Sequence, residues 1–176
     1  MALIPAGLGL GSYAIMRNEA SVADYNLYCG NTKGCTPVSG SDPDLPMVNI
    51  SYDDIQKYAA WLSQATGARY RVPTRPEWVR AAGGRSKTDS DANCVVPGRD
   101  PRGTSLRAAT AGNANVYGLH NMFGNAQELT TTVNGGLAAV GGAIGDDLIY
   151  CQSEFLRPAN GQPEGRTGFR LLREMQ

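Results

Sequence analysis

Histidine is nearly missing from this sequence. One His among 176 residues, with no CxxC pair, leaves no set of thiolates and imidazoles spaced for a zinc site. Nor can a Ser/His/Asp arrangement be built around it. Net charge is missing too: 16 Lys+Arg balance 16 Asp+Glu, so there is no basic excess to attract a phosphate backbone or an anionic membrane. Nucleic acid is thereby excluded as a partner. No apolar run approaches the roughly 20 residues that cross a bilayer, and no phosphate-cradling Gly-Lys-Ser/Thr loop, internal repeat or low-complexity tract is present. The first residues lack a charged, long-cored leader and run into a strand-like segment. The chain therefore reads as a domain excised from a longer protein, with any membrane contact made through that parent.

What is present is glycine, 22 residues, with 10 prolines, in a length that suits one domain over residues 1–176. A loop-rich α+β globule is expected. Three helix starts carry a hydroxyl and a carboxyl three residues apart: Ser21/Asp24, Ser51/Asp54 and Thr74/Glu77. After Ser51, the residues Ile55, Tyr58, Ala59 and Leu62 form one apolar face that ends before Gly67. Residues 12–16, 137–140 and 168–172 read as strands that pair into one small sheet. Residues 85–116 form a long polar stretch that bridges, ions or function must order. The adjacent acids Asp53/Asp54 and Asp146/Asp147 read as helix start and loop.

Four cysteines remain: Cys29, Cys35, Cys94 and Cys151. Three pairings are possible, and four reduced, buried thiols are the alternative. The flexible segment between Cys29 and Cys35 favours a local bridge, which leaves Cys94–Cys151 as the long one. Bridges would place the domain in an oxidising compartment.

Four ordered motifs then carry a resemblance. Pro46-Met47-Val48-Asn49-Ile50-Ser51, the run from Tyr70-Arg71-Val72-Pro73-Thr74 to Trp78, the run from Gly118 through Asn121, Gly124, Asn125 and Ala126 to Glu128-Leu129, and Gly168-Phe169-Arg170-Leu171 resemble the sulfatase-modifying-factor or formylglycine-generating-enzyme family. The resemblance implies a C-type-lectin-like fold. It also implies a structural Ca²⁺ held by the Asn121 and Glu128 side chains and the Gly124 and Ala126 carbonyls, a hard-oxygen set suited to that ion. A weaker second site would use Asn93, the Cys94 carbonyl and Asp100.

The family's oxidase chemistry needs two cysteine thiolates for copper(I). In this chain Asp146 stands where the first belongs, and only Cys151 matches the second. A related branch uses a histidine cluster for iron, which one His cannot supply, and His120 reads as a packed structural residue. No copper or iron is expected, and the enzyme reading leans to no. The resemblance then implies a non-catalytic sensor or interaction domain, periplasmic or extracellular in a bacterium, such as the outer part of a transmembrane Ser/Thr kinase or a secretion-system regulator. Its partner would be an envelope protein or a small ligand. The alternatives are an atypical copper oxidase or a retroelement-diversified ligand-binding protein. The candidate recognition surface combines Arg99, Arg102, Arg107, Asp146, Asp147, Tyr150 and Phe155, all taken as exposed, with Arg157 facing a remnant cleft. Arginine and aromatic side chains commonly anchor interfaces. Arg170 reads as structural.

Overall fold

The structure, a computed structural model, describes residues 1–84, 91–98 and 102–175. All three capped starts open helices: α1 (Val22–Asn31), α2 (Tyr52–Thr66) and α3 (Arg75–Ala81). Ser21 and Thr74 close reciprocal capping boxes with Asp24 and Glu77. Ser51 accepts the Asp54 N–H, and Gly67, at φ 71°, ends α2 in the left-handed region. Each cap satisfies backbone groups that a helix end leaves unpaired.

The strands are β1 (Ala2–Ile4), β2 (Tyr13–Ile15), β3 (Tyr70–Arg71), β4 (Gln127–Thr131), β5 (Leu137–Val140), β6 (Leu156–Ala159), β7 (Thr167–Gly168) and β8 (Leu172–Glu174). They form two four-stranded sheets, ordered β1-β2-β8-β3 and β6-β5-β4-β7, rather than the single expected sheet. The segment expected as one strand over 168–172 splits. Its first part pairs with β4 and its last with β2 and β3. Between them Phe169, Arg170 and Leu171 are fully buried, so this segment carries the chain from one sheet to the other through the interior.

Two apolar clusters flank that crossing. One gathers Ile4, Ile15, Trp78, Leu119, Phe123 and Val140. The other holds Ile55, Leu129, Phe169 and Leu171 with a run of rings, Tyr25, Tyr28, Tyr58 and Trp61, spaced 5.4–6.3 Å between centroids. Arg71 ties β3 to α3 and β8 through Glu77 at 2.7 and 2.8 Å and Glu174 at 2.7 Å.

Register decides what each face of the second sheet does. Leu129, Ala139 and Arg157 lie in one cross-strand row, and Glu128, Val140 and Leu156 in the next. Successive residues of a strand face opposite sides. One face therefore points towards Trp78 and a buried charge centre, and the other floors an open cleft.

Candidate functional site

The buried charge centre is built on Glu128, 1% exposed, and Arg170, 0% exposed. Arg170 Nε and Nη2 donate to the Glu128 carboxylate at 2.6–2.9 Å, and Trp78 Nε1 donates to the same group at 2.6 Å. The remaining guanidinium donors reach the Met16, Arg17 and His120 carbonyls. Glu19 completes the centre and leaves no sequence signal, since its partners lie about a hundred residues away. Its carboxylate accepts from Asn121 Nδ2 at 3.1 Å, Asn125 Nδ2 at 2.8 Å and the Ala126 N–H at 3.0 Å. Burial and the nearby Glu128 carboxylate push Glu19 up to about 8, against the lowering effect of Arg170, Asn125 and Ala126. Two buried acids thus lie beside one buried guanidinium: Glu128 is paired with it, and Glu19, raised to about 8, holds its proton at neutral pH.

This is the place of the expected calcium ligands. Among the described residues no group of three or more His, Cys, Asp or Glu is arranged to hold a metal. Asn121 Oδ1 accepts from Arg107 Nε and Nη2 at 3.0 and 2.8 Å, and Glu128 faces Arg170. Oxygen ligands suit a hard cation, but Asn121 Oδ1 and both Glu128 oxygens already accept from Arg107, Arg170 and Trp78, so an ion would have to displace these donors. Of the second set, Asn93 hydrogen-bonds to Ser105, Gly103 and Asn125. Cys94 lies beside it, and Asp100 and Arg99 fall outside the described residues.

Both expected disulfides are present, Cys29–Cys35 and Cys94–Cys151. The second is packed under two glycines. An added Cβ at Gly124 or Gly142 would come within 2.6 Å of Cys94 Sγ or Cys151 Sγ, and both residues sit at positive φ. Side chains are excluded there by space and by backbone conformation. The bridge fastens the long polar stretch to the residues after β5, assisted by Val95 N–H to the Asp146 carbonyl at 2.8 Å and Leu148 N–H to the Val95 carbonyl at 3.0 Å.

Asp146 corrects the expected recognition surface: it is buried, at 6% exposure. Arg157 grips it through both terminal nitrogens at 2.8 Å, and Arg166 approaches at 3.2 Å. Burial pushes its carboxyl up, but the bonds from Arg157 and the Ala143 N–H outweigh this and hold it below the ordinary carboxylate value. The strand β6, which has no strand-like pattern in the sequence, brings Arg157 back onto this acid and buries it. Phe155 is half-buried, with the Arg157 guanidinium 4.8 Å from its ring centroid and the Tyr150 ring centroid 4.9 Å from it. Asp147 and Tyr150 are exposed. Arg102 reaches inward to the Ala92 carbonyl. Arg107 serves the Asn121 loop, so neither arginine simply stands in solvent. His120 is half-buried against the Gly112 carbonyl.

On the outer face of the second sheet lies a cleft of about 570 Å³. Leu129, Ala139 and Ala159 floor it, Pro158 and Pro163 wall it, and Asn160, Gln162, Glu164 and Arg157 line its rim. Gln127 joins Arg157 to Glu164 and Thr167 at 2.8–3.0 Å, so its polar end is held by a fixed network.

A loop-rich α+β domain of C-type-lectin-like architecture, with few helices and two small sheets, defines the class. The chain belongs to the sulfatase-modifying factor enzyme 1-like domain family, which it matches over residues 10–175. It is similar in structure to PvdO from Pseudomonas aeruginosa, at 22% identity over 94% of this chain and 81% of that one, with a TM-score of 0.79. CarF is similar at 23% identity, 95% and 88% coverage and a TM-score of 0.75. Treponema denticola variable protein 1 is similar at 15% identity, 99% and 92% coverage and a TM-score of 0.74. No curated protein matches the chain in sequence.

Proposed function

We propose that this domain is a non-catalytic, extracytoplasmic sensor or interaction module that recognises a protein segment or small ligand in the cleft over the second sheet. One observation carries the reading: the two positions that resemble the family's catalytic cysteines are occupied by Asp146, locked between Arg157 and Arg166, and by Cys151, bonded to Cys94. No thiol pair is left for copper(I), which requires soft thiolate ligands. What remains is a rigid scaffold with a shaped, polar-rimmed cleft, the usual design of a binding site. The two disulfides support an oxidising compartment such as the bacterial periplasm. A membrane-bound Ser/Thr kinase or a secretion-system regulator is the parent this reading favours.

Cu(I) titration of the oxidised domain should give no tight, stoichiometric binding, and tight copper would restore the oxidase reading. For the cleft, a photo-crosslinker at Gln162 should trap an envelope component, and Asn160→Trp should abolish trapping. Equal trapping by that variant would move recognition elsewhere.

A structural calcium ion at the buried charge centre belongs to the same reading, supported by the motif from Asn121 to Glu128 and by the second buried acid, Glu19, beside it. Elemental analysis should find about one equivalent, and chelation should lower the melting temperature, because an ion that binds only the native state stabilises it. Absence of calcium together with an unchanged melt would remove the ion from the account.

A further inference from the structure

The segment between β1 and β2 turns back on itself. Gly7 and Leu10 exchange backbone hydrogen bonds at 2.9 and 3.0 Å, and the two residues between them, Leu8 and Gly9, have φ of 54° and 77°. Positive φ at both central positions is the I′ geometry, which normally takes Asn-Gly. A leucine there is strained without gaining any burial, since Leu8 is 88% exposed. Backbone strain at an exposed apolar tip points to a use outside folding.

Beside the tip, Leu8, Leu10, Pro76 and Val79 line an open pocket of about 390 Å³ whose remaining lining is Arg75, Arg80 and Gly84. Both guanidinium groups are half-buried and lack a carboxylate within ion-pair distance among the described residues. Among the described residues Arg75 Nη2 bonds the Glu154 carbonyl and Arg80 Nη2 that of Pro5. The Nε atoms of both are buried and have no hydrogen-bond partner among the described residues. Four other half-buried arginines, Arg71, Arg107, Arg157 and Arg166, each meet an acid. Two uncompensated cations beside an apolar wall call for a ligand that supplies both a negative head and an apolar body.

We propose that the pocket between the Gly7–Leu10 turn and α3 binds a small amphipathic carboxylate, its head on the Arg75 and Arg80 guanidiniums and its apolar body under Leu8. A carboxylate suits the planar fork of arginine better than a point anion does. The volume lies near the lower end of small-molecule pockets, roughly 300–1,000 Å³. The pocket shares no lining residue with the cleft over the second sheet, so the failure of one assignment leaves the other standing.

The test uses decanoate as the probe, followed by calorimetry and by side-chain NMR on the whole domain. Binding should shift the Leu8, Leu10 and Val79 methyl signals, and decanol, which lacks the charge, should bind at least about tenfold more weakly. Arg75→Gln should cost a similar factor of about ten, while Leu8→Gly should lose affinity and melt no lower than the parent protein, since the strain is relieved. No binding below the micellar concentration, shifts confined to other methyl groups, or equal affinity in Arg75→Gln would overturn the assignment.

Discussion

At the scale of single residues, Glu19 sets how the buried charge centre responds to pH. Its folded value of about 8 lies above the ordinary 4.5, so between those values the native state holds a proton that the unfolded chain releases. Stability from this group is full below pH about 4.5 and is lost as pH rises towards 8. Urea midpoints in chelator should therefore fall from pH 5 to pH 8, and Glu19→Gln should flatten the slope. An equally steep slope in Glu19→Gln would assign the effect to another group. The proposed calcium ion would favour the carboxylate, so if it binds here the slope should also shrink when calcium is added. Asp146 and Glu77 act at the acid end: both are held low in the fold, and their contribution disappears as pH falls through their folded values.

At the scale of elements, the caps make the clearest prediction. Ser51→Ala removes the acceptor of the Asp54 N–H and should cost about 1 kcal/mol, read as a lower denaturant midpoint at unchanged slope. A cost near zero would mean that α2 is held by its aromatic face alone. All three helices were legible because a helix writes its start and its buried face into neighbouring residues. Sheets write theirs into partners far along the chain. Thus β5 was visible as an apolar run, yet its neighbours were not, and β6 was missed because Pro158 and Arg157 do not look like a strand. Pro158 also supplies no N–H on this edge strand, which discourages pairing with another chain. The motif from Asn121 to Glu128 was legible as a chemical centre, whereas Glu19, Arg166 and Gln127 enter the polar networks only once the fold closes around them.

At the scale of the whole molecule, the two bridges hold different lengths of chain. Cys94–Cys151 closes a sequence separation of 57 residues and Cys29–Cys35 one of 6. Loop-closure entropy then assigns about 4 kcal/mol to the first and about 2 kcal/mol to the second. Replacing each pair by Ser should reproduce that order in chemical denaturation. An equal loss would show that packing around Gly124 and Gly142, rather than chain entropy, sets the contribution of the longer bridge.

The first and last strands both pair with β2, antiparallel to it, and so run parallel to each other. The start of β1 lies beside Ile15 and the end of β8 beside Tyr13. Tension applied through these two strands would load both ladders lengthwise, so their hydrogen bonds would resist together in shear rather than open one after another. Forced unfolding measures that resistance as a rate. By this geometry a pull between β1 and β8 should meet a stiff response, suited to transmitting tension without coming apart.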